Sequence, residues 1–137
     1  MTSSGGTPRV LSVNWLWPSL GDSRVAVWTA REGALAAAAA ALFCLLDAHG
    51  EPLYLGAAAG FAVLAFAIWR LSLVAAVLGL LLCIANLLAG VIYSVQLGEA
   101  EYQAFPKILW VVNGVLALGF VNAIRGIRWI KSRNATA

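Results

Sequence analysis

The sequence predicts an all-α integral membrane protein: a four-helix transmembrane bundle of two hairpins with both termini cytoplasmic. Three observations predict it. Of 137 residues, 62% are hydrophobic and 11% charged, at a mean hydropathy of +0.87, which leaves too little polar surface for a soluble globule. A long apolar run, Leu53 to Leu97, carries a single charge, Arg70. As one helix it would be roughly 65 Å long, about twice the hydrocarbon thickness of a bilayer, so the chain must fold back near Arg70. Finally, the charges of the connecting segments alternate along the chain, as orienting charges do in a polytopic protein.

The chain divides into a leader (1–26), a transmembrane domain (27–130) and a basic cytoplasmic tail (131–137). In the leader, Thr2 to Pro8 is polar and lacks the basic start and apolar core of a cleavable signal, so the first span is expected to be retained. No lipidation signal is present at either end. Trp15 and Trp17 are awkward in water, and the segment around them is expected to lie at the headgroup level or against a partner.

Helices are expected at about 27–47, 53–69, 72–97 and 107–130. Arg9, Arg24 and Arg31 precede or open the first, whereas the loop after it holds Asp47, His49 and Glu51 without Lys or Arg. Arg70 marks the second turn, Glu99 and Glu101 outnumber Lys107 in the third, and Arg125, Arg128, Lys131 and Arg133 follow the fourth span. The positive-inside rule then places both termini in the cytoplasm. Trp28, Trp69 and Trp129 fall at the inner headgroup level, and Tyr54, Tyr93, Tyr102 and Trp110 at the outer one.

Small residues at helical spacing mark where helices touch in lipid. Gly56 and Gly60 form a GxxxG motif in the second span, and Gly33, Ala37 and Ala41 repeat at the same spacing in the first. These two faces are expected to pack on one another. Among intramembrane polar residues, Asn86 and Asn113 lie at similar depth and are natural hydrogen-bond partners, while Asn122 sits nearer the inner surface. Glu32, read as lying in the first turn of its helix, and Arg125, in the last turn of its own, suit the helix macrodipole and stand where an ion pair is possible.

The chemistry of catalysis is missing. The lone histidine, His49, excludes bis-imidazole haem ligation, and no set of three or four metal ligands gathers. Cys44 and Cys83 differ in depth by more than a disulfide spans and read as small core residues. With no nucleophile triad, no phosphate-binding glycine loop and no paired intramembrane acids, the chain is expected to be no enzyme and to hold no cofactor or metal. The net charge of +3 is accounted for by membrane orientation and calls for no nucleic acid.

In size and span number the chain is similar to the small multidrug resistance family, whose first helix carries a membrane-embedded Glu. Glu32, following Arg31 near the helix entrance, departs from that pattern. The expected function is therefore a non-catalytic subunit of a larger membrane complex, with a small oligomeric transporter or channel as the alternative. Expected contacts are the bilayer, anionic phospholipid through Trp15, Trp17, Arg125, Arg128, Trp129, Lys131 and Arg133, and a larger complex or further copies of the chain. Seven Arg against two Lys in an Ala-rich chain point to a bacterial inner membrane.

Overall fold

The computed structural model describes residues 18–47, 52–97 and 106–135, and almost all of them are helical. Helix α1 runs Ser23–Asp47, α2 Pro52–Trp69, α3 Leu73–Leu97 and α4 Pro106–Asn134. At 1.5 Å per residue they are about 37, 27, 37 and 43 Å long. All four contain a window long and apolar enough to cross a membrane, which suggests a multi-pass membrane protein. Trp15, Trp17, His49, Glu51, Glu99, Glu101 and Tyr102 lie outside the described residues.

Two helix ends fall beyond the spans read from the sequence, for local reasons. Helix α1 starts at Ser23 rather than near 27 because Asp22 caps it. Its Oδ1 accepts from the Arg24 backbone N–H at 3.0 Å, and its carbonyl from Ala26 N–H at 3.0 Å. Ala26, assigned from sequence to the leader, is fully buried in the helix. Helix α4 continues to Asn134 because its basic last turn, with Lys131 and Arg133, complements the helix C-terminus. Residues 131–134 thus belong to the helix and not to a separate tail.

The fold-back near Arg70 is a tight turn. Ser72 N–H donates to the Ala67 carbonyl at 3.0 Å and Leu71 N–H to that of Ile68 at 2.8 Å, the paired bonds of a Schellman ending. Leu71 takes the left-handed position, at φ 61°, where glycine is usual. Its side chain packs against the core. Ser72 then caps α3, its Oγ accepting from Ala75 N–H at 3.3 Å.

Helix α1 packs most extensively against α4 and α2, α3 packs mainly on α4, and α2 and α3 meet sparingly despite the short turn between them. The bundle is thus two hairpins, α1–α2 and α3–α4, docked through α1 and α4. Its interior is built from small side chains, with Ala30, Ala37, Ala76 and Ala123 fully buried, and from a few knobs such as Ile68, Phe120 and Ile127. Large apolar groups face outward, among them Leu53, Val63, Val74, Val95 and Val111, each at least 67% exposed. In water such a surface would drive aggregation. In lipid it costs nothing, and close packing of small residues holds the helices together.

Candidate functional site: a polar network between α1 and α4

The closest helix contact is between α1 and α4. On α1, Ala26, Ala30, Gly33 and Ala37 follow at i, i+4, i+7 and i+11; on α4, Gly119, Ala123 and Gly126 follow at i, i+4 and i+7. Each stripe occupies one helix face. A Cβ placed on Gly33 would lie 2.5 Å from Ala123 Cβ, and one on Gly126 would lie 2.6 Å from the Ala26 carbonyl oxygen and the Ala30 nitrogen. The backbones themselves are in contact, so only glycine fits.

That proximity brings two short polar side chains together across the interface. Asn122 Nδ2 donates to Glu32 Oε2 at 2.8 Å, and Arg125 Nη1 donates to Asn122 Oδ1 at 3.2 Å. Arg125 Nη2 reaches the Pro18 carbonyl at 3.4 Å, which ties the segment before α1 to α4. Asn122 is 2% exposed, so its carboxamide is committed to these partners. Arg125 also acts on the Glu32 carboxylate through space. One turn before Glu32, buried Thr29 satisfies its hydroxyl on the Val25 carbonyl at 2.8 Å.

The pairing of Glu32 with Arg125 therefore runs through Asn122, and the dipole argument for it is corrected. Glu32 is nine residues inside α1, about 13 Å from its start, and Arg125 is nine residues from the end of α4. Macrodipole effects fade within the first and last turn. Both charges are held by the interhelical network instead. Arg125 is half-buried in this network, whereas Arg128, Lys131 and Arg133 are exposed, with Arg133 stacked 4.8 Å from the centroid of the half-buried Trp129 ring.

A second polar contact joins α3 to α4. Asn86 Nδ2 donates to Asn113 Oδ1 at 3.1 Å, Asn113 being buried and Asn86 largely exposed. Such bonds contribute roughly 0.6 to 2 kcal/mol each and fix helix register. Nearby, the fully buried Phe120 ring fills the space left by the missing side chain of Gly79.

The expected packing of Gly56 and Gly60 on α1 is corrected as well. Neither has anything within 4 Å of an added Cβ, and both are exposed. Helix α2 meets the bundle through a different flank, where Ala58 and Ile68 are buried. Ile68 occupies the position a longer partner would need, its Cγ2 3.5 Å from the Gly33 site. Gly33 and Ala37 are indeed interior, but Gly33 faces α4, and Ala41 is buried too. The α4 stripe of Gly119, Ala123 and Gly126 escaped the sequence reading although its spacing was visible there.

Among the described residues, no group of three or more His, Cys, Asp or Glu side chains comes together. Cys44 and Cys83 are thiols, Cys83 buried and Cys44 half-buried. The arrangement can hold a fixed charge pair inside the bundle and lock two helices in register. Comparison of the chain with protein-family models, curated protein sequences and solved structures finds no match.

Proposed function

We propose that the chain is a non-catalytic integral membrane subunit that packs into a larger membrane protein complex and stabilises it, in contact with lipid. The open glycine flank of α2 carries this reading. An outward Leu or Val is at home in hydrocarbon and calls for no partner. Bare backbone at Gly56 and Gly60 is different, because it admits another helix at close range. Ala67 lies on the same flank as Gly60, two turns nearer the α2–α3 turn, and packs against the core; the two glycines lie beyond it with nothing against them. Asn86, bonded to Asn113 yet exposed, keeps part of its polar side chain at the bundle surface, where a neighbour is expected.

Arg24, Arg31, Arg70, Arg128, Lys131 and Arg133 gather where α1 begins and α2 and α4 end. The positive-inside rule assigns that end to the cytoplasmic face, here of a bacterial inner membrane, with Arg128, Lys131 and Arg133 placed to meet anionic phospholipid. The depth of Glu32 favours a second reading, a small oligomeric transporter or channel, since carboxylates inside spans commonly serve ion pathways.

Purification from native membranes in mild detergent tests the two. The wild-type chain is expected to travel with a larger membrane protein in fixed stoichiometry. Gly60→Leu should lose that partner yet keep its helicity and thermal stability, because the site faces open space. A homo-oligomer whose cation flux in liposomes vanishes on Glu32→Gln would establish the transporter reading instead.

A further inference from the structure

Arg31 and Arg70 stand apart from both the α1–α4 network and the exposed α4 cluster. The Arg31 guanidinium carbon lies 4.3 Å from the Trp69 ring centroid, and that of Arg70 lies 5.9 Å from the Phe66 centroid. Arg31 Nε is buried and has no hydrogen-bond partner among the described residues. Trp69 and Phe66 in turn line an apolar groove between α1 and α2, floored by Ala34, Ala38 and Ala65. Arg31, Ala34, Leu35 and Ala38 share one stripe of α1, so the groove runs from the Arg31–Trp69 stack toward the middle of the bundle. Its volume is about 310 Å³, at the lower end of small-ligand sites, which suits one chain segment rather than a compact ligand.

A groove that is apolar along its length and cationic at one mouth has the polarity of a single phospholipid. We propose that it holds an anionic phospholipid, with an acyl chain along Ala34, Ala38 and Ala65 and the phosphate between Arg31 and Arg70. Guanidiniums near the end of a span need a counter-charge, and Arg31 Nε is left without an acceptor among the described residues. Arg suits the role because it stacks on an aromatic face through its plane while its N–H edge remains available to phosphate. The site lies on the opposite flank of α2 from Gly56 and Gly60, so it rests on the membrane-spanning reading and not on the subunit reading.

Native mass spectrometry of the full chain in detergent, titrated with dioleoylphosphatidylglycerol, tests the site. Arg31→Gln with Arg70→Gln should weaken the tightest binding at least about tenfold. Ala38→Phe, at an exposed position, should weaken it comparably by blocking the groove while both charges remain. Arg128→Gln with Lys131→Gln and Arg133→Gln should leave it unchanged, and inorganic phosphate should not compete. Equal binding by wild type and either the double Arg variant or Ala38→Phe would overturn the proposal. Competition by phosphate alone would overturn it too, since that would mark a free-anion site. Should the double Arg variant not fold, the Ala38→Phe result decides.

Discussion

Adding one methyl group at position 126 puts it 2.6 Å from the Ala26 carbonyl oxygen, whereas a methyl at position 56 meets nothing. The first change must push α1 and α4 apart, at a cost of about 1–3 kcal/mol for overpacking. The second removes a helix-interior glycine from an open face and should stabilise α2 by a few tenths up to about 1 kcal/mol. Gly126→Ala is therefore expected to lower the unfolding free energy in detergent and Gly56→Ala to leave it equal or higher. Equal losses at both sites would mean that α1 and α4 are not the closest pair. The sequence holds both glycine patterns, and a spacing rule alone cannot choose between them. What decides is which flank of α2 carries a side chain able to fill the α1–α4 groove, and that is the flank of Ile68, about two turns from the nearest glycine of the GxxxG. By contrast, the Asn86–Asn113 bond was legible from depth alone, because a polar group in a span has few partners at its own level.

Helix boundaries depend on features smaller than a span. Apolar runs showed where each helix had to be, and all four are there. The ends were less legible, because Asp22 and the basic last turn of α4 extend helices into segments that read as polar leader and tail. That shift carries Glu32 and Arg125 from terminal turns into the bundle and replaces a dipole argument with a hydrogen-bonded one. The turn between α2 and α3 shows the same dependence on single groups. Its ending places Leu71 at φ 61° and hands the α3 start to the Ser72 hydroxyl. Ser72→Ala leaves the Ala75 N–H without that acceptor and should cost about 1 kcal/mol. Unfolding measured for the variant in detergent should show this loss, and an unchanged stability would place the start of α3 elsewhere.

At the scale of the molecule, small residues inside and large apolar ones outside suit lipid, where contact between helices gains from close approach rather than from escape from water. The proposed docking flank and the proposed phospholipid groove both presuppose four crossings with the basic end facing inward. Reporter fusions measure that directly: one after His49, one after Tyr102 and one at Ala137, each read by paired enzymes active on opposite sides of the membrane. The account predicts an external signal at the first two positions and a cytoplasmic signal at the third. A cytoplasmic signal after His49 or Tyr102, or an external one at Ala137, would contradict it.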